Sequence, residues 1–349
     1  MKNFFGIALA SGLLAACATP ALQYDAARAP ASLDAARHRT VGLASFQGPY
    51  SGWFRDEFRT MLETASFQGE PWFKVGLTPI QSDLEGVYEA DVIVYGPTIE
   101  ETYQTYSNCI QQDEESKACT VLKIVEEICY RLEAEVVAEP RLFNANTQQL
   151  VFANSYSGYA YDGDCVQSGK IIEVYTDPKT GKTNKSIVAT RSLNYYQPSR
   201  SDIDYQIQYV LTDILRDIRT DIAPYEERTR ASLAIGTFIP ELREDPRFDA
   251  ALDAAKEQNT PLACSLFSDL STEYPNSPAL IFNLGVCAEV TGDLSAAAQQ
   301  YSKALNVFET IEANSNDKFF KAFKRVLAQE QEAAKIDDLL SQSNDPFRY

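Results

Sequence analysis

The chain has 349 residues, 45% of them apolar, and carries 49 Asp and Glu against 31 Lys and Arg, a formal net charge of −18 with a pI near 4.6. That charge argues against nucleic acid or anionic lipid headgroups as direct partners. It does not imply disorder, because 18 Phe, 19 Tyr and 2 Trp can fill real cores, and the length suits two domains.

Residues 1–17 have the layout of a secretory signal: Lys2, an apolar run from Phe4 to Leu14 broken by Gly6 and Gly12, then small residues. The run falls far short of the ~20 apolar residues of a spanning helix. Leu14-Ala15-Ala16-Cys17 fits the lipobox pattern, in which the cysteine is acylated and becomes the new N-terminus. The expected modification is therefore a diacylglycerol and acyl lipid on Cys17, and more than one chain makes the anchor stable. Ala18 and Thr19 follow, with no Asp to signal retention in the inner membrane. The expected location is the outer membrane on its periplasmic side, with surface exposure left open.

Residues 18–38, rich in Ala and small polar residues, read as a tether that could reach about 70 Å at ~3.5 Å per residue. Thr40 to Phe46 predicts a short buried strand closed by Gly48-Pro49. Phe54, Phe58, Met61, Leu62 and Ala65 then form the apolar stripe of a helix. Phe73, Val75 and Leu77 alternate as a second strand, and Asp91 to Gly96 is a third. Tyr130, Leu132, Ala134 and Val136 alternate with Arg131, Glu133 and Glu135, which predicts a half-wet strand. Its turn falls at Asn144–Thr147, and Leu150 to Tyr161 returns. A smaller hairpin turns at Asp177–Gly181. Ile203, Ile207, Val210, Ile214, Ile218 and Ile222 line a helix over 201–222, ended by Pro224, and Ala231 to Ile239 reads as a last strand.

Six cysteines besides Cys17 suggest disulfides in an oxidising compartment. A hairpin turning near Asn146 or Thr147 places Cys129 opposite Cys165, both equidistant from residue 147. Cys109 and Cys119 bracket one acidic loop and are natural partners. Cys264 and Cys287 read either as a staple between packed helices or as two inert thiols. Metal and catalytic readings are weak: no Cys-x-x-Cys is present, and the one histidine, His38, falls in the tether. No enzyme activity, cofactor or metal is expected.

Two resemblances follow from these elements. The strand Val41–Phe46, the helix after it, the strand Ala90–Gly96 and the long Arg131–Gly158 hairpin resemble the CsgG-like lipoproteins over residues 39–240. That family includes the curli-secretion pore and, more distantly, the LpoB-like activators of peptidoglycan synthases. The turn departs from its common Thr-Gly-Glu, having Asn146-Thr147-Gln148-Gln149. Farther on, Ile281, Leu284, Gly285, Ala288, Gly292, Ala297, Tyr301 and Ala304 fall on tetratricopeptide positions. Ala251, Ala254, Ala263, Phe267 and Pro275 repeat the pattern earlier. The helical domain spans 245–340, and Phe319, Phe320, Phe323 and Leu327 mark a capping helix.

The expected fold class is thus α+β: a mixed α/β sheet domain followed by all-α helical hairpins. The tetratricopeptide resemblance implies a concave face lined by Ala279, Phe282, Val286, Glu289 and Val290, suited to a peptide or helix of an envelope protein. This makes an envelope-assembly adaptor the first functional expectation. An oligomeric CsgG-type pore ranks lower, because its required membrane hairpins would be residues 100–128 and 160–196, which look too charged or too short. An LpoB-like activator is the third expectation.

Overall fold

The computed structural model describes residues 19–76, 83–190, 200–236, 239–309 and 317–342, so Cys17 lies outside the described residues. The chain divides into two compact units, a sheet unit over Asp34–Ala223 and a helical unit that joins the residues before Asp34 to those from Pro224 onward.

The elements in chain order are β1 (Ala21–Arg28), α1 (Leu33–Arg37), β2 (Thr40–Gln47), α2 (Ser51–Thr64), β3 (Ser66–Phe67), β4 (Glu70–Pro71), β5 (Lys74–Val75), β6 (Gly86–Gln112) and β7 (Cys119–Asn144). There follow β8 (Leu150–Ala153), β9 (Tyr156–Thr176), β10 (Thr183–Thr190), α3 (Arg200–Ile222) and β11 (Tyr225–Ser232). The last six are α4 (Pro240–Glu244), α5 (Pro246–Lys256), α6 (Thr260–Glu273), α7 (Pro278–Val290), α8 (Leu294–Glu309) and α9 (Asp317–Gln342).

In the sheet unit the strand order is β10-β9-β7-β6-β2-β5, with β8 beside β7. β2 runs parallel to β5 and β6, and the other neighbours are antiparallel. α2 and α3 cover one face of its inner part. The Phe54, Phe58 and Leu62 stripe of α2 is fully buried, and Phe58 packs its ring 5.1 Å from Tyr88 and 5.6 Å from Phe46. α3 buries Ile203, Ile207, Leu211, Ile214, Ile218 and Ile222 over the small or aliphatic Leu132, Ala134, Val136, Ala138 and Ala160. Close approach here depends on Gly158, where a Cβ would stand 2.6 Å from Val210 Cγ1.

The helical unit pairs β1 with β11 as an antiparallel ribbon, from Ala21 opposite Ser232 to Arg28 opposite Tyr225. Beside it, α5/α6 and α7/α8 form two hairpins closed by α9. Asp245, Asn259 and Ser277 cap α5, α6 and α7 by accepting from the amides of Arg247, Leu262 and Leu280, and each helix has proline in its first turn. Gly285 lets α8 sit close, since a Cβ there would lie 2.7 Å from the Tyr301 ring.

Residues 18–38 are not a tether where they are described. Ala21, Leu22 and Ala26 are buried in β1, and Ala35 and Ala36 in α1. Small apolar side chains suffice because β1 gains its backbone partners some 200 residues away. The last strand also falls earlier than expected: β11 covers Tyr225–Ser232, whose charged side chains conceal a strand defined by its partner. Only Lys74–Val75 of the predicted second strand is paired, and Leu77 lies outside the described residues.

Gly158→Ala should lower unfolding free energy by about 1–3 kcal/mol through overpacking. Combining it with Val210→Ala should recover part of the loss. Urea midpoints of the two variants check this, and a neutral Gly158→Ala would sink the close-packing argument.

Candidate functional site

The expected groove is filled by the chain itself. Ala279, Phe282, Val286 and Glu289 are buried, and Val290 is half-buried. Phe282 stacks 4.4 Å from Phe319 of α9 and 5.0 Å from Tyr301. Asn283, also buried, receives the amide of Ala234 at 2.7 Å and donates to its carbonyl at 3.0 Å, holding the segment after β11 as a peptide would be held. An external ligand therefore finds this face occupied.

Glu289 is the centre of that filling. It accepts from the hydroxyl of Tyr24 on β1, from Tyr301 at 2.5 Å, and from two nitrogens of Arg325 on α9 at 2.7 Å. Gln329 adds a bond to Tyr24 at 2.7 Å. A buried carboxylate is tolerable only when paired and fully hydrogen-bonded, and this one is. Burial, reinforced by the hydrogen bond to Glu289, pushes the Tyr24 hydroxyl up to about 12. Burial and the Glu289 charge raise Tyr301 further.

The other distinctive surface is in the sheet unit. β6, β7, β9 and β10 run outward beyond the helix layer as a four-stranded antiparallel wing. Residues 100–128, read from sequence as too charged for strands, are paired from Glu100 opposite Arg131 to Gln112 opposite Cys119. In the second insert, β9 and β10 pair from Lys170 opposite Thr190 to Thr176 opposite Thr183; its residues 191–196 lie outside the described residues. Charge at alternate positions conceals a strand when both faces are read together, whereas one face alone is apolar.

Opposed residues share a face, so the register assigns the wing's sides. The side continuing the helix-covered face carries Leu122, Ile124 and Ile128 of β7 beside Tyr103, Ile172, Val174 and Ile187. Its Glu126 is paired to Lys170 at 3.6 Å. The opposite side interleaves Val121, Val125 and Ile171 with Gln104, Asn108, Lys123, Glu127 and Glu173. Tyr103 is 65% exposed and Ile187 63%.

Beyond Asp91, β6 has β7 on one side and no strand on the other among the described residues; β10 likewise has only β9. The charges of β6 are all acidic (Glu89, Asp91, Glu100 and Glu101), whereas β10 carries only Lys185.

The six cysteines of the described residues form three bonds: Cys109–Cys119, Cys129–Cys165 and Cys264–Cys287. His38 belongs to the folded sheet unit, not to a tether, with Nδ1 2.9 Å from the Asp34 carbonyl. Among the described residues no group of His, Cys, Asp and Glu is placed to hold a metal, and no helix is long and apolar enough to cross a membrane.

No protein-family model and no curated protein matches the chain. Among solved structures, it is similar to a protein of Caulobacter crescentus CB15 designated a lipoprotein, at 11% identity and a TM-score of 0.22 over 55% of this chain and 89% of that one. It is also similar to a homologue of a neuraminyllactose-binding hemagglutinin from Helicobacter pylori, at 10% identity and a TM-score of 0.25 over 56% and 89%.

The raised tyrosines fix the sign of an alkaline effect. Tyr24 and Tyr301 stay protonated in the fold above the ordinary value near 10, so their contribution is complete below about pH 10 and declines as pH rises toward 12. Urea midpoints should therefore fall between pH 9.5 and 11.5, and Tyr24→Phe should flatten that slope while lowering the midpoint at pH 8. Glu289→Ala, which leaves the half-buried Arg325 and the hydroxyls of Tyr24 and Tyr301 without their acceptor, should cost about 2–4 kcal/mol at neutral pH. An unchanged midpoint would refute the central role given to Glu289.

Proposed function

We propose that this protein is a membrane-anchored lipoprotein whose copies join edge to edge through the four-stranded wing into a closed β-barrel, a subunit of a CsgG-type channel of the outer membrane. One observation carries the reading: among the described residues the wing has no second layer and two open edges. A sheet of this kind is unfavourable alone in water, because its apolar side stays wet and its edges offer unmet hydrogen bonds. Closure into a ring removes the edges, and lipid against the apolar side removes the wet surface.

Three quantities favour it. The 11 residues Thr120–Tyr130 span about 37 Å at ~3.4 Å each, or ~28 Å across a bilayer at a tilt near 40°, matching the apolar band of outer-membrane barrels. Four strands of alternating direction make the neighbour contact antiparallel, so any number of copies gives an even, all-antiparallel barrel. The charges on the two open edges are also of opposite sign, Glu100 and Glu101 on β6 and Lys185 on β10. Acylation at Cys17 would supply the membrane attachment. Only three residues separate it from Ala21, a reach of roughly 10 Å, which disfavours an LpoB-like activator that must span the wall. The role is assembly and passage, not catalysis.

A second reading, the protein-binding adaptor, draws on a different surface from the expected groove. An open cleft of about 490 Å³ lies between α8 and α9, lined by Ala298, Gln299, Ser302, Lys303, Phe323 and Leu327. An envelope peptide could lie there without displacing the filled concave face.

The test is the full-length protein, expressed with its leader and extracted from outer membranes in mild detergent, measured by mass photometry and electron microscopy. Closed rings with stepwise conductance in planar bilayers are expected. Monomers or dimers without conductance would remove the channel and leave the α8–α9 cleft as the site to pursue.

A further inference from the structure

We propose that the sheet face opposite α3, at the base of the wing, binds lysine and arginine side chains of an extended polypeptide. The cation is held by the Tyr95 and Tyr159 rings and the Glu135 carboxylate between them. The site is complete in one copy and does not require the channel reading.

Strand register places these groups. Leu132, Ala134 and Val136 of β7 are buried on the side that α3 covers, so Arg131, Glu133 and Glu135 project from the other. Glu135 stands between Tyr95 of β6 and Tyr159 of β9, and Glu133 between Thr98 and Tyr161. Opposed side chains on neighbouring strands begin only ~5 Å apart, so each carboxylate lies beside at least one ring. The Tyr159 and Tyr161 rings are stacked, with centroids 6.1 Å apart. Tyr95 is 56% exposed, Tyr159 52% and Tyr161 46%, so no described segment of the chain lies over them.

The chain itself shows what such a pair holds. The Arg131 guanidinium lies 4.8 Å from the centre of the Tyr161 ring, and its Nη2 is 3.6 Å from Glu133 Oε2. The negative face of an aromatic ring attracts a cation, and the carboxylate beside it adds a second attraction. One row inward, Tyr159 and Glu135 repeat the pair, and Tyr95 supplies a second ring. No cation of the chain fills this copy: among the described residues Glu135 makes no ion pair. Residues 94–101 of β6 and 156–165 of β9 contain no Lys or Arg. Arg131 is thus the one cation in rows that carry Glu100, Glu133 and Glu135.

The shape of the face selects the kind of ligand. It is an open sheet surface, on which a single cation over a ring is held weakly. A ligand must therefore lie along the strands and make several such contacts at once. Glu139 is on the same face as Glu135, opposite Asp91, and makes no ion pair among the described residues, whereas Asp91 is paired to Arg141. Four residues of β7 separate Glu135 from Glu139, about 14 Å at ~3.4 Å each. An extended polypeptide beside β7 has the same repeat, so cations four residues apart meet both carboxylates.

The experiment uses the full-length protein in mild detergent, with affinity read by isothermal titration calorimetry. The probes are an end-capped nonapeptide of serines with Lys at positions 1, 5 and 9, its Glu counterpart, and an uncharged chitooligosaccharide. Glu135→Gln and Tyr95→Leu/Tyr159→Leu should each weaken binding of the Lys peptide at least fivefold. Glu114→Gln, which makes the same charge change in the loop between β6 and β7, should leave it unchanged. Arg131→Ala vacates the Tyr161–Glu133 pair and should strengthen binding at least twofold more than Lys117→Ala does. No binding of the Lys peptide, equal binding of the Glu peptide, tighter binding of the oligosaccharide, an equal loss in Glu114→Gln, or no gain in Arg131→Ala would each overturn the site. Mass photometry of the same samples decides the channel reading separately, because the binding comparison is made whether or not rings form.

Discussion

A β-sheet is stable when its edges are paired and at least one face is covered, and the sheet unit meets both conditions over only half its length. From Gly86 to Asp91, β6 lies between β2 and β7, and the row Val92–Ala138–Tyr156 still faces the helix layer. Farther out the same strands continue with neither β2 nor α3 beside them. Leu132 is followed on its face by Tyr130 and Ile124, which are half-buried, with Ile128 still buried between them. In the proposed channel, lipid and a second copy together would supply a covering layer and paired edges.

The helical unit solves the same problem internally. A stack of two helical hairpins leaves a concave apolar face, which is marginal unless a third element covers it. Here the β1–β11 ribbon and α9 do so, and the Asn283 amide grips Ala234 as it would a foreign backbone. The charged seam through Glu289 draws on Tyr24, Tyr301, Arg325 and Gln329, from both ends of the sequence. Closing the unit therefore requires long-range contacts, and β1 cannot leave without stranding a buried carboxylate.

Part of this was legible in the sequence because it is local. The β7–β9 register as far as Glu127–Gln167 follows from one turn, and the α2 and α3 stripes follow from helical spacing. What stayed hidden is set by distant partners. β1 is too short in large apolar residues to read as a strand until β11 is beside it. The wing strands look like charged loops until their faces are separated. The residues of the tetratricopeptide face could be listed from the repeat, but whether that face is open depends on segments the repeat does not contain.

In the proposed channel, edge pairing separates what determines ring closure from what determines ring size. Because each copy contributes two up and two down strands, strand polarity is satisfied by three copies or by thirty. Copy number must then come from strand tilt and from contacts between neighbouring bodies, neither of which the wing's hydrogen bonds specify. Acylation at Cys17, three residues before the first strand, would act at a different step of the proposed assembly, confining subunits to a plane and raising their effective concentration before any edge is paired. A protein built this way gains a strong driving force for closure. It also carries an aggregation hazard whenever an open edge meets an edge other than its proper neighbour.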